Sequence, residues 1–297
     1  MSVRPETSAD SHDGVKYINP QTSLLKPQTA IGRVPRLVRT AHDCAVFYSS
    51  LLVLGVICLS WTVIALPLFV LLPRRLGTAA GRYGIMGGFR IYTGWLTLVR
   101  AYRLDLRAID ALRGEPACIL APNHPCMIDA LLILTRHPNV ACVMKTEVLN
   151  NVFLGSGARL ARYVCNEPPL QMIREAVADL QRGGMLLLFP ECTRSIQAPI
   201  NALKASVGVI AKRAAVPVQT LIIETDSPYL GKGWPLLRRP PLPITYRVRL
   251  GRRFEPPEDV RTFMAQLEAY YHDELAGSLQ SKWLTGTRSP YPSRNAP

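Results

Sequence analysis

From Cys44 to Pro73 the sequence holds no charged side chain at all. A helix needs about 20 apolar residues to cross a bilayer, so roughly 30 is long for one span and short for two. The stretch lies too far from the N-terminus, and runs too long, for an ordinary signal peptide. Other features are missing as well. The seven cysteines (Cys44, Cys58, Cys118, Cys126, Cys142, Cys165 and Cys192) form no C-x-x-C pair and are odd in number, which fits neither a zinc site nor a disulfide framework and suits a reducing compartment. No G-x-S-x-G occurs, and Gly155-Ser156-Gly157 is too short to stand for one, so no activated serine is predicted. No metal-ligand cluster is visible, so no metal or other cofactor is expected. There is no aromatic-interleaved basic motif and no groove-reading module. The net charge of +14 therefore points away from nucleic acid and toward acidic lipid headgroups or a phosphorylated substrate.

What is present is a chain of 297 residues, 48% apolar, long enough for one catalytic domain with an accessory segment. Residues 1–40 read as a polar, loosely ordered head and 282–297 as a flexible tail. Residues 41–100 read as a membrane anchor followed by an interfacial helix, and 101–281 as the catalytic domain. Positive charge flanks the apolar stretch on both sides, with Arg33, Arg36 and Arg39 before it and Arg74, Arg75 and Arg82 after it. The positive-inside rule gives such a segment no orientation as a single span. Two shorter helices dipping into one leaflet put both flanks on one side, and this re-entrant anchor is the favoured reading over a tilted single span. Tyr83 to Val99 reads either as an interfacial helix or as the first helix packed on the catalytic domain.

After residue 101 short apolar strands alternate with amphipathic helices, the pattern of an α/β domain with a mixed sheet flanked by helices. Strands are predicted at Tyr102–Arg107, Ala117–Ala121, Val140–Met144, Met185–Phe189, Val218–Ile223 and Tyr246–Leu250. Helices are predicted from near Met127, from Pro168-Pro169 to Gly183-Gly184, over Leu203–Ala214, and from Pro257 to Leu279. Arg238, Arg239, Arg247, Arg249, Arg252 and Arg253 are close in sequence and suggest a basic face for acidic lipid, a nucleotide phosphate or an acidic carrier.

Two clusters sit where a strand gives way to a loop or helix, the place where open α/β sheets put ligands. The first is Asn123-His124-Pro125-Cys126-Met127-Ile128-Asp129 and the second is Phe189-Pro190-Glu191-Cys192-Thr193-Arg194-Ser195. A histidine titrates near neutrality and is suited to take a proton from a hydroxyl, given a carboxylate to fix its tautomer. On one continuous helix, five residues would turn Asp129 about 140° away from His124. The pair meets only if Pro125 holds His124 in a loop and Asp129 begins the helix. Arg194 offers a fork of donors for a phosphate, Glu191 an acceptor for a headgroup, and Lys145 a second cation. With no serine nucleophile, an acceptor's own hydroxyl takes its place in a direct transfer. Cys126 is the thiol near enough in sequence to compete as a nucleophile.

These clusters resemble the signature blocks of the glycerolipid acyltransferases, the family that includes lysophosphatidate acyltransferase. Asn123-His124 with Asp129 is similar to the N-H-x4-D block, and Phe189 to Ser195 to F-P-E-G-T-R-S with Cys192 in place of glycine. Lys145-Thr146-Glu147-Val148-Leu149 is similar to the K-x-E-L block and Val216-Pro217-Val218 to the V-P block. The resemblance implies that His124 is the base and Asp129 its orienter, and that Lys145, Glu191, Thr193 and Arg194 bind the acceptor. It further implies acyl-CoA or acyl-carrier protein as donor, a lysophospholipid acceptor, lipid partners, and a site on the cytoplasmic face of a membrane. Two departures stand out. Asn166 occupies the position where the second block carries an arginine, and Cys192 adds a side chain where glycine is the rule. Both keep open a different lipid or specialised-metabolite hydroxyl as acceptor. A membrane-tethered lipid-binding protein without turnover is the remaining alternative.

Overall fold

In the computed structural model, residues 36–278 are described; the expectations for the head before residue 36 and the tail from 282 fall outside them. The chain opens with α1 (Arg36–Leu71) and α2 (Arg74–Leu98), then runs β1 (Tyr102–Asp105), a 3-10 turn (Arg107–Leu112), β2 (Ile119–Pro122), α3 (Asp129–Leu134), β3 (Val140–Met144), α4 (Thr146–Leu149), α5 (Gly155–Leu160) and β4 (Val164–Cys165). It closes with α6 (Pro169–Gln181), β5 (Met185–Leu187), α7 (Ser206–Ala214), β6 (Val218–Thr225), β7 (Ile244–Phe254) and α8 (Val260–Leu275).

The expected pair of re-entrant helices is not found. The uncharged stretch lies in one unbroken helix, α1, and Pro67 falls in its last turns. The break comes at Pro73, which has no N–H and sits just before the first residue of α2. At about 1.5 Å per residue, α1 is roughly 54 Å long, well beyond a bilayer's apolar core. One stripe of α1 carries Phe47, Ser50, Cys58 and Ala65, all buried. The opposite stripe carries Leu52, Val56, Leu59, Val63, Leu66 and Val70, all exposed. Residues Leu37–Leu71 are long and apolar enough to cross a membrane, with mean hydropathy 2.5 in the most apolar window and 11% of that window buried. An apolar face left open in this way suits lipid rather than water.

Helix α2 is docked on the catalytic domain rather than lying free at an interface. A Cβ at Gly81 would fall 2.4 Å from the backbone nitrogen of Ala161, so α2 and the end of α5 meet backbone to backbone. Trp61 of α1 is wedged between Gly84 of α2 and Gly157 of α5, where a Cβ would fall 2.0 and 2.6 Å from the indole. Arg82, read from sequence as a basic flank of the anchor, is buried instead. Its Nη2 donates to Asp179 Oδ1 at 2.8 Å, its Nη1 to Asn139 Oδ1 at 3.1 Å and its Nε to the Ala161 carbonyl at 3.1 Å. Arg82 has an opposite charge to pair with inside the domain, and a paired buried guanidinium costs far less than a lone one.

The seven-stranded sheet has the order β1-β7-β6-β2-β5-β3-β4. Strands β6, β2, β5, β3 and β4 are mutually parallel; β7 is antiparallel to β6 and parallel to β1. The sheet is thus mixed, as expected. Its central strands are covered on both faces, which is why they read as continuous apolar runs. In β5 and the residue after it, Met185 and Leu187 face the core under α2 and α3, whereas Leu186 and Leu188 face the core under α6, α7 and α8. Helix α6 ends where Gly183-Gly184 predicted. Gly183 has φ +84°, and its N–H bonds to the Leu180 carbonyl while that of Gly184 bonds to the Asp179 carbonyl, the paired closure of a Schellman turn. The stretch 146–165, which gave little signal in sequence, forms α4, α5 and β4.

The basic face expected from the clustered arginines is mostly compensated. Arg249 pairs with Glu224 and Glu274, Arg253 with Glu115, Arg247 with Asp105 and Arg239 with Asp43. Arg252 lies over the Phe254 ring, 4.7 Å from its centroid. Alternation along a strand sends these side chains to several neighbours, each with a carboxylate or a ring in reach.

Candidate active site

The site forms at the carboxyl ends of β2, β5 and β6. Asn123 follows the last residue of β2 and is fully buried. Its side-chain oxygen accepts from the Ile223 N–H at 2.7 Å and its amide donates to the Ile223 carbonyl at 3.1 Å. The side chain thereby takes over the pairing with β6 that the backbone gives up, and the main chain is freed to leave the sheet at His124.

Asp129 is the first residue of α3, and His124 lies in the loop before it, the loop-then-helix arrangement on which the spacing depends. His124 Nδ1 is 2.8 Å from Asp129 Oδ2, with the histidine side chain 17% exposed and the aspartate fully buried. The imidazole stacks on Phe189, ring centroids 3.9 Å apart. Asp129 is held from a second side by Cys126, whose N–H donates to Oδ2 at 2.9 Å and whose thiol donates to Oδ1 at 2.7 Å. Burial pushes the Cys126 thiol well above its ordinary range, and the neighbouring Asp129 charge adds to this. A buried thiol that donates to a carboxylate is a prop for the dyad, not a nucleophile. Under it lie Tyr246 and Tyr102, whose rings are 5.3 Å apart and whose hydroxyls burial also drives upward.

Glu191, expected to accept from a headgroup, is engaged by the protein itself. It is 2% exposed, and protein donors occupy both carboxylate oxygens. Oε1 accepts from the backbone N–H of His124 at 2.9 Å and from Ser195 Oγ at 2.8 Å, and Oε2 accepts from the Asn201 N–H at 3.0 Å. Burial raises its carboxyl above the usual range, while these donors pull the other way. The Ser195 N–H donates in turn to the His124 carbonyl at 2.8 Å, so both backbone polar groups of His124 are tied to the second cluster.

Arg194 is half-buried. Its Nη1 donates to the carbonyls of Leu230 and Gly231, both at 2.9 Å, so the fork read as a phosphate binder also anchors a loop. Thr193 Oγ1 accepts from Lys232 Nζ at 3.1 Å. Lys145 is exposed just after β3, and it and Lys204 stand near enough to Cys192 to draw its thiol down, although burial prevails and raises it. Cys192 is exposed and has φ +54, the left-handed region that glycine enters without a Cβ penalty. Asn166 closes β4 by donating its N–H to the Met144 carbonyl at 2.9 Å and brings no charge.

Sequence reasoning did not find Lys232 or the Cys126 thiol bond, placed Tyr246 only at the start of a strand, and read Arg238 only as part of a basic face. Lys232 lies far beyond the clusters in sequence, and the tyrosine is carried under Cys126 by β7, which pairs antiparallel with β6. No local pattern announces either fact.

The fold and the dyad define a class: an α/β enzyme-like domain with a histidine–carboxylate pair presented at strand ends. Residues 103–224 match the protein-family model described as Acyltransferase, the same kind of family that the motifs resemble. A 1-acyl-sn-glycerol-3-phosphate acyltransferase of Pseudomonas aeruginosa is 22% identical over 193 residues, covering 61% of this chain and 73% of that protein. The crystal structure of the 1-acyl-sn-glycerophosphate (LPA) acyltransferase PlsC from Thermotoga maritima shares the fold, with TM-score 0.58 and 18% identity over 86% of this chain and 99% of that one.

Proposed function

We propose that this protein is a membrane-associated O-acyltransferase that moves a fatty acyl group from a thioester, acyl-CoA or acyl-carrier protein, to the free hydroxyl of a lysophospholipid, lysophosphatidate first among them. The observation that carries the reading is the 2.8 Å contact between His124 Nδ1 and the buried Asp129. With Nδ1–H donating to Asp129, Nε2 holds the lone pair and takes the acceptor's hydroxyl proton. The oxygen attacks the thioester carbonyl as that proton moves to Nε2. The tetrahedral intermediate then expels the thiolate, which recovers the proton from the imidazolium, and the buried carboxylate steadies the positive ring between the two transfers. The burial of Cys126 supports direct transfer without an acyl-enzyme. The names of the relatives in Pseudomonas aeruginosa and Thermotoga maritima support the lysophosphatidate acceptor. The open apolar stripe of α1 supports a membrane seat for residues 41–100, and we place the catalytic domain on its cytoplasmic face. Lys145, Thr193 and Arg194 are the groups we assign to the acceptor side.

The test is transfer from labelled palmitoyl-CoA in detergent to a panel of lysophosphatidate, other lysophospholipids and monoacylglycerol, with His124→Ala alongside. Phosphatidate that forms with wild type and vanishes in the variant is the expected result. Equal product from both proteins would remove His124 from the reaction, and product on another acceptor alone would remove lysophosphatidate.

A further inference from the structure

Beside the dyad lies a cleft of about 410 Å³ walled by the segment that joins β6 to β7. It borders Pro125, next to His124, and Ser195 of the second cluster. A cleft of this size falls within the range that holds small ligands or their headgroups. We propose that it is an anion subsite for the phosphomonoester of a substrate, with Lys232 as the cation that binds it and Arg238 as a second positive wall. The proposal rests on the acyl-transfer reading above.

The segment is fastened to both catalytic clusters. The Leu230 carbonyl accepts from the Met127 N–H at 3.0 Å and from Arg194 Nη1 at 2.9 Å, and the Gly231 carbonyl takes a second bond from Arg194. Leu230 itself has φ +59, a conformation costly for a residue with a Cβ and maintained here by those bonds. Lys232 therefore follows immediately after a fixed point, not in the middle of a free loop. Its Nζ reaches across to Thr193 Oγ1 at 3.1 Å, linking the segment to the second cluster. At the far end Trp234 Nε1 donates to the Arg238 carbonyl at 2.9 Å, and the Arg238 guanidinium lies 5.1 Å over the Trp234 ring.

Charge selects the ligand. The lining includes Lys232 and Arg238 and no carboxylate. Among the described residues no carboxylate forms an ion pair with Lys232, whereas Arg239, Arg247, Arg249 and Arg253 each have one. The Lys232 ammonium, with no ion-paired carboxylate among the described residues, suits the charge of about −1.5 to −2 that a phosphomonoester carries near neutrality. Because the cleft borders Pro125 and Ser195, an anion seated there lies against the loop that carries His124 and against the second cluster. The phosphate of a lysophosphatidate and the phosphates of CoA share this chemistry.

The experiment compares wild type, Lys232→Ala and Lys232→Arg, with lysophosphatidate or monoacylglycerol as acceptor and palmitoyl-CoA or palmitoyl-N-acetylcysteamine as donor. Lys232 is exposed, so neither change threatens folding. For an acceptor phosphate, Lys232→Ala raises the KM for lysophosphatidate by about tenfold or more with kcat nearly unchanged. The KM for monoacylglycerol stays put and Lys232→Arg recovers most of the loss. A rise confined to palmitoyl-CoA and absent with palmitoyl-N-acetylcysteamine supports the subsite and assigns it to the donor's phosphate. Unmoved KM values for all four substrates overturn the proposal. If wild type turns over neither acceptor, the acyl-transfer reading for these lipids fails, and titration with glycerol 3-phosphate decides the subsite separately. Binding weakened by Lys232→Ala then supports it, and equal or no binding in both proteins overturns it.

Discussion

Replacing Glu191 by glutamine separates a scaffold role from headgroup binding. In the wild type the carboxylate accepts three hydrogen bonds, from the N–H of His124, the hydroxyl of Ser195 and the N–H of Asn201. Glutamine keeps one acceptor oxygen and turns an NH2 group toward a donor, leaving at least one buried N–H without a partner. An unsatisfied buried donor costs about 1–3 kcal/mol, and bonds to a charged acceptor weaken by roughly 1 kcal/mol each when the charge is removed. Part of this is returned, because the wild-type carboxylate bears a burial penalty visible in its raised pKa. The net loss is about 2–4 kcal/mol, or roughly 5–15 °C in Tm for a domain of this size. A histidine whose backbone is no longer fixed loses alignment, and displacements of under an ångström lower kcat by about 10- to 100-fold. Thermal unfolding by tryptophan fluorescence, run beside steady-state kinetics, reads both quantities. We expect a lower Tm and kcat with the acceptor KM nearly unchanged. An unchanged Tm with a greatly raised acceptor KM would refute the reasoning and make Glu191 a ligand of the headgroup.

Three further outcomes are expected. Cys126→Ala removes the thiol bond to Asp129 Oδ1 and should lower kcat several-fold with a shifted pH profile, while Cys126→Ser keeps a donor and retains most activity; equal activity and profiles in all three would show that the thiol does not prop the dyad. Maleimide should label Cys192 well before the buried Cys126 in native protein, with a rate that keeps climbing above pH 9 because burial raises the Cys192 thiol; rapid labelling of Cys126 followed by mass spectrometry would contradict the packing. Arg82→Ala leaves the buried Asp179 only the longer 3.3 Å bond from the exposed Arg182 and should cost about 2–4 kcal/mol, below the full loss of a buried partner, much of it recovered in an Arg82→Met, Asp179→Leu double variant; a silent single variant in chemical denaturation would show that α2 is not held by this pair.

Much of the fold was legible because the signals are local. The fully apolar run at Met185 marks a strand covered on both faces, and Gly183-Gly184 marks the end of α6 by the turn that only a residue without a Cβ makes easily. The His124–Asp129 pair was legible for the same reason, since Pro125 and the spacing allow the contact only through a loop. The errors concern long-range partners. Arg82 reads as an interfacial cation until Asp179, 97 residues away, is brought to it. The three donors from two segments that surround Glu191 are likewise invisible in sequence, and the glutamine variant decides between them and a headgroup. The arginines of β7 read as one basic face until carboxylates from β1, β6 and α8 reach them. The anchor was misjudged differently: its composition left one helix or two open, and the place of Pro67 near the end of α1, with Pro73 beyond it, decided for one.

The most direct test of the central claim is the kcat of His124→Asn and Asp129→Asn against wild type, with palmitoyl-CoA and lysophosphatidate in nanodiscs and Tm recorded for each. Loss of a general base lowers rates by about 10²- to 10⁴-fold, so both variants should fall into that range while remaining folded. Folded variants that retain wild-type kcat would contradict the account of His124 as the base and Asp129 as its orienter.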